Sequence, residues 1–203
     1  MNICVFGASS PEIGTPYLEA AHKLGVLIAK KGHTLIFGGG AAGIMGESAR
    51  GAKSAGGRIV GIVPRFINAD GASYPECDEL ITTETMRERK AKMEELADAF
   101  IVCPGGIGTF EELFEMLSLK QLERHRKAIV ILNTDGYYNG LELLLEHSIE
   151  ENFVREVCRT LYSFVNTPEE AMREIAEYVP RPEAQDLRGF PSAYTFESIR
   201  ENE

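Results

Sequence analysis

Short apolar runs recur along the chain at 3–6 (ICVF), 34–37 (TLIF), 58–63 (RIVGIV), 99–103 (AFIVC), 128–132 (AIVIL) and 161–165 (LYSFV). None alternates apolar with polar positions, which is the pattern of parallel strands covered on both faces. The stretches between them carry apolar residues at helical spacing and predict helices over about 15–30, 43–55, 85–97, 109–123, 139–150 and 168–178. Repeated strand–helix alternation with right-handed crossovers gives an α/β fold: a single-domain, Rossmann-like, doubly wound parallel sheet with helices on both faces. The domain is expected to span residues 1–179. The tail 180–203 holds Pro180, Pro182 and Pro191 and has no clean period; it is expected to be either mobile or packed on a partner subunit.

Ligands in such sheets bind beyond the C-terminal ends of the strands, so the residues that follow each strand carry information. GASS (7–10) follows the first, GGGAAGIMG (38–46) the second, PGGIGT (104–109) the fourth and NTDGYY (133–138) the fifth. Glycine after a strand often serves the turn alone. Three small-residue loops leading to helices on one sheet edge instead predict a ligand cleft. Ser9 of the first loop and Gly39, Gly40 and Gly43 of the second are candidates to line it. Gly38 to Gly43 formally matches GxGxxG. However, no acidic residue ends the following strand to hold ribose hydroxyls, so a dinucleotide is not expected. PGGIGT is the stronger anion loop. Gly105, Gly106 and Gly108 allow close approach to the main chain, the helix behind them favours an anion at its N-terminus, and Thr109 can cap that helix or donate to a phosphate. It lacks the GK[ST] of a triphosphate-binding loop.

Composition narrows the partners. With 203 residues and 44% apolar positions the chain can bury a core. Its net charge of −10 argues against nucleic acid or an anionic membrane as partner, but not against a small phosphorylated ligand. The four cysteines (Cys4, Cys77, Cys103, Cys158) form no CxxC, and the four histidines (His22, His33, His125, His147) are scattered, so no metal site is expected. No apolar run approaches a membrane span. MNICVFGAS runs directly into a strand without a leader pattern, and the expected location is cytoplasmic.

Candidate chemistry lies on two helices. In ETMRERKAKMEELAD (84–98), Met86, Lys90, Met93 and Ala97 share one stripe, with Arg89 and Leu96 on its flank. One basic residue at the edge of a core face can snorkel. Two adjacent ones at a Met-Met-Ala face call for anionic partners as well. On the helix after PGGIGT, Phe110, Leu113, Phe114 and Leu117 make the main apolar face. Glu111 lies on one flank; Glu112 lies nearly opposite with Met116 and Leu119, a side expected to be covered too, with a second subunit as the candidate cover. The wheel does not choose between the two glutamates.

CPGGIGTFEE matches the PGGxGTxxE signature of the Lonely Guy (LOG) family, often described as lysine decarboxylase-like; TMRERKAKM resembles its MxxRK segment, FGGGAAGIMG its first glycine loop and NTDGYYNGL its later strand–loop–helix. The resemblance runs from about residue 2 to 179. It implies a phosphoribohydrolase that cleaves the N-glycosidic bond of cytokinin riboside 5′-monophosphates, often AMP as well, to free base and ribose 5-phosphate. It further implies no cofactor and a homodimer or larger assembly with sites near the subunit boundary. Carried over by motif position, Arg89 and Glu112 are the catalytic pair, and Lys90, Gly106, Gly108, Thr109 and Ser118 lie in the binding site, Ser118 standing where plant members have Thr. A substrate-contacting Glu of plant members has no match near Pro64-Arg65-Phe66, and no lysine site for pyridoxal phosphate is recognisable. The rival expectation is a nucleotide-binding or carrier protein of the same fold that does not hydrolyse its ligand.

Overall fold

The structure is a computed structural model, and it describes residues 1–68, 71 and 73–180. The tail expected to be mobile or partner-bound lies, from residue 181 on, outside the described residues. Seven parallel strands form one sheet in the order β4-β3-β2-β1-β5-β6-β7: β1 Asn2–Phe6, β2 Thr34–Phe37, β3 Ile59–Pro64, β4 Glu79–Thr83, β5 Ala99–Val102, β6 Ala128–Leu132 and β7 Ser163–Val165. The helices are α1 Thr15–Lys30, α2 Gly43–Ser54, α3 Arg65–Asn68, α4 Met86–Leu96, α5 Ile107–Gln121, α6 Asn139–Glu150 and α7 Pro168–Glu177. The doubly wound α/β expectation holds.

Two apolar layers sandwich the sheet. Ala21, Leu24 and Ile28 of α1, Ile44, Ala49 and Ala52 of α2, and Ala171, Met172 and Ile175 of α7 pack on one face. Met93 of α4, and Leu113, Met116 and Leu117 of α5, pack on the other. The strands between them are buried from end to end in β3, β5 and β6. Strand order reverses between β1 and β5, which pair directly from Ile3↔Ala99 to Phe6↔Val102. Chain leaving their C-terminal ends diverges to opposite faces, so a crevice opens at this switch point.

The sequence reading gives six strands where the structure has seven. ELITT, in which only Leu80 and Ile81 are apolar, carries no continuous apolar run. As an edge strand beside β3 it is largely exposed and needs no continuous apolar run. The last strand is also shorter than 161–165 suggests, because a 3-10 turn over Glu156–Thr160 precedes it and Leu161 packs into the core before pairing begins.

Helices α1 and α2 cross with their backbones almost touching. A Cβ on Gly25 would fall 2.0 Å from the Ser48 carbonyl oxygen, and one on Gly51 would fall 2.0 Å from that of His22. This contact fixes α2, whose N-terminus borders the crevice. Gly51→Ala is expected to force the helices apart and cost about 1–3 kcal/mol. The change should read as a lower urea midpoint with an unchanged m-value.

Candidate functional site

A cleft of 560 Å³ opens at the switch point. Its floor is the loop 7–10 after β1; one wall is the loop 38–42 after β2, and the other is the start of α5. Val63, Pro64, Ile67 and Met86 close one end with apolar side chains. The loops brace each other: Ala8 N–H donates to the Pro104 carbonyl (3.2 Å), and Met45 N–H donates to the Ala8 carbonyl (3.3 Å).

Helix α5 starts at Ile107, two residues before the predicted start, with Gly106 as N-cap and no side-chain cap. Thr109 therefore does not cap it. Its side chain is buried against Gly105, where a Cβ would meet the Thr109 hydroxyl at 2.1 Å. The main-chain N–H groups of Ile107, Gly108 and Thr109 have no acceptor within the helix, because the first internal bond runs from Phe110 N–H to the Gly106 carbonyl. Gly106 and Gly108 have open space where a side chain would stand, so the cleft has free access to these donors. The loop before them is held from the far side. Tyr138 O–H donates to the Cys103 carbonyl and Tyr137 O–H to the Gly105 carbonyl, both at 2.7 Å. Burial pushes the Tyr138 phenol well above its ordinary pKa, so it stays a donor. These tyrosines lie in NTDGYY, but their support of the anion loop is not readable from the sequence.

Helix α4 buries Arg89, Lys90 and Met93, so the two basic residues are more buried than Met86, which sits half-exposed at the cleft mouth. Arg89 is 7% exposed. Its Nη1 donates to Glu112 Oε1 (2.9 Å) and its Nε to the Ile62 carbonyl (3.1 Å). Glu112 is 8% exposed and lines the cleft together with Arg89. Burial pushes the Glu112 carboxyl above its usual range, and the Arg89 charge and hydrogen bond oppose the shift without cancelling it. The room for Arg89 comes from Gly38: a Cβ there would lie 2.0 Å from Nη2. Gly38 was read only as part of a loop, since nothing in the sequence places a guanidinium beside it.

Lys90 turns away from the cleft. It pairs with Glu111 and, at 2.8 Å, with Glu115 Oε2. Burial pulls its pKa down, yet the hydrogen bonds to these two carboxylates leave it raised. The cover expected over Glu112 and Met116 comes from this chain itself: Arg89 closes over Glu112, and His125 sits at 3.0 Å from the Met116 carbonyl. Phe114, expected on the main apolar face, is instead exposed, and Met116 takes its place in the core.

The structure thus gathers Arg89, Glu112, Gly106, Gly108, Thr109, Gly39, Gly40, Ser9 and Met86 around one cleft. Gly105 is buried behind the lining. Gly43, at φ +60°, lets α2 start against the Ala8 and Ser10 carbonyls rather than facing the cavity. Ser118 is exposed on α5 outside the lining. Glu111, the other glutamate weighed in the sequence, also lines the cleft, as do Met45 and Ser73, which the sequence reading did not single out.

Comparison with known proteins meets this geometry. Residues 45–175 match a family model described as "Possible lysine decarboxylase". The chain is 36% identical over 179 residues to cytokinin riboside 5′-monophosphate phosphoribohydrolase LOG2 of Arabidopsis thaliana, covering 88% of this chain and 84% of that one. It is 37% identical over 180 residues to a probable enzyme of the same name, LOGL5, from Oryza sativa subsp. japonica, covering 89% and 73%. Among solved structures it resembles the molybdenum cofactor binding protein of Rippkaea orientalis, with a TM-score of 0.67, 26% identity and coverage of 86% and 94%. The family match over residues 45–175 takes in α4, the PGGIGT loop and α5, and with relatives 36–37% identical over most of its length the chain belongs to the LOG family.

Proposed function

We propose that the chain hydrolyses the N-glycosidic bond of AMP-type nucleotides, whether cytokinin riboside 5′-monophosphates, AMP or both, to free base and ribose 5-phosphate. The observation that carries this reading is a buried carboxylate, Glu112, held by Arg89 inside a cleft that also offers unpaired main-chain donors at the start of α5. The 5′-phosphate would rest on the N–H groups of Ile107 to Thr109. Ribose and base would extend along the cleft toward Val63, Ile67 and Met86.

Cleavage builds positive charge on the ribose ring, and a carboxylate beside the anomeric carbon stabilises that charge. Glu112 also takes a proton from water. The water oxygen bonds to the anomeric carbon as the C–N electron pair leaves with the base, and the base nitrogen regains a proton. Arg89 acts as a positioning and charge-balancing partner, its planar fork fixed by both Glu112 and the Ile62 carbonyl. The family model's decarboxylase description has no counterpart among the described cleft-lining residues, which include no lysine.

A second reading is supported by the likeness to the Rippkaea orientalis protein: a carrier of the same fold that binds its ligand intact. Chromatography of products from AMP and from N6-isopentenyl-AMP, with an assay for ribose 5-phosphate, separates the two readings. Free base with ribose 5-phosphate supports the hydrolase; bound but intact nucleotide supports the carrier.

Cytoplasmic residence and a homodimer belong to the same proposal. Among the described residues no helix is long and apolar enough to cross a membrane. Ile107, Phe114 and Ser118 share one exposed stripe of α5, and Leu143, Leu144 and Phe153 stand exposed on and beside α6. Covering such a surface with a second copy would remove it from water and carry Ser118 to a subunit boundary. Light scattering is expected to give twice the chain mass, and Leu143→Glu to shift it to the monomer value.

Two expectations concern the pair. Glu112→Gln keeps an acceptor for Arg89 but removes the base, so turnover should fall by about 10²–10⁴ with nucleotide binding retained; wild-type turnover would refute the assignment. Because burial raises the Glu112 pKa, activity should rise with pH through an acid limb above the ordinary carboxylate range. Arg89 lowers that pKa, so Arg89→Met should move the limb to still higher pH in a kcat–pH profile.

A further inference from the structure

The first turns of α5 carry three carboxylates, Glu111, Glu112 and Glu115, beside the main-chain donors proposed to hold a phosphate. Left uncompensated, they would repel the anion and each other. Consecutive residues of α4 answer them. Arg89 takes Glu112, while Lys90 takes both Glu111 and Glu115. We infer that Lys90 is a positioning residue that offsets part of the negative charge of Glu111 and Glu115, and so keeps the α5 N-terminus attractive to a phosphorylated ligand without touching that ligand.

Three observations support this assignment. Lys90 is buried, with its side chain only 10% exposed, and is absent from the cleft lining that contains its neighbour Arg89. Its ammonium meets two carboxylates at once, whereas a lysine that binds substrate keeps its charge aimed into the cavity. Glu115 Oε2 is itself sealed from solvent and lies 2.8 Å from the Lys90 ammonium, while the rest of that side chain reaches water. Glu111 does line the cleft, and without Lys90 its negative charge would face the ligand directly.

The inference rests on the proposal that a nucleotide phosphate binds at α5, and the test keeps the two apart. AMP affinity is measured by calorimetry, and kcat and KM by product assay, for wild type, Lys90→Met, and the triple variant Lys90→Met/Glu111→Gln/Glu115→Gln. The triple variant leaves no uncompensated charge and keeps the fold available if the single variant is unstable. Lys90→Met is expected to weaken AMP binding and raise KM about 10-fold while kcat changes little. The triple variant should recover at least wild-type affinity, because both carboxylate charges that Lys90 offsets in part are gone as well. A triple variant as weak as Lys90→Met would mean that Lys90 contacts the phosphate itself, and would overturn the inference. An unaltered Lys90→Met would overturn it too. Wild-type protein that binds AMP and N6-isopentenyl-AMP without cleaving either would remove the hydrolase reading while the affinity series still decides the role of Lys90. No AMP binding at all would overturn both.

Discussion

A charged pair kept almost dry inside an acidic protein is the constraint on which the site depends. Arg89 and Glu112 meet at 2.9 Å with each side chain about one-tenth exposed. Breaking such a pair by removing one partner costs about 3–5 kcal/mol, because the other charge is left in a poor solvent. The surrounding structure is arranged to keep both partners. Strand β3 supplies the Ile62 carbonyl to the guanidinium, Gly38 leaves space for it, and α5 carries the glutamate in at its second turn. Each contribution comes from a different crossover of the sheet, so the pair exists only when the parallel order around β1 is complete.

The same architecture explains why the anion loop can be so bare. A glycine-rich segment has little side chain with which to hold its own shape. Here the shape is imposed from outside: by two tyrosine hydroxyls after β6, by the Ala8 amide after β1, and by the Thr109 side chain lying against Gly105. At Gly106 and Gly108 the main chain is thereby left bare toward the cleft, as close approach of a phosphate requires.

Much of this was legible in the sequence because it depends on local pattern. Continuous apolar runs reveal interior strands, and β1, β2, β3, β5 and β6 were found that way. The edge strand β4 escaped because half-exposed pairing needs no such run. The Arg89–Glu112 partnership followed from motif resemblance, while helical wheels left Glu111 and Glu112 equivalent. What separates them is a tertiary fact: Glu112 points under α4 and Glu111 toward Lys90. Ser118 was expected beside the ligand on motif position alone, Lys90 on motif position and an apolar stripe, and Gly43 and Gly105 on their place in glycine loops. The geometry sets them behind or outside the lining, since proximity in sequence does not fix which way a side chain faces.

The two ends of the cleft differ in how much change they can absorb. Around α2 the backbone packs against backbone at Gly25 and Gly51, so almost any added atom disturbs the scaffold. At the opposite end, α3 is a single short turn with none of its residues buried; Phe66 and Ile67 stand largely in solvent, and Ile67 borders the cavity. Substitutions there alter the surface presented to a ligand with little cost to stability. Diversification of ligand preference within this scaffold therefore has an open route through α3, while the buried Arg89–Glu112 pair stays fixed.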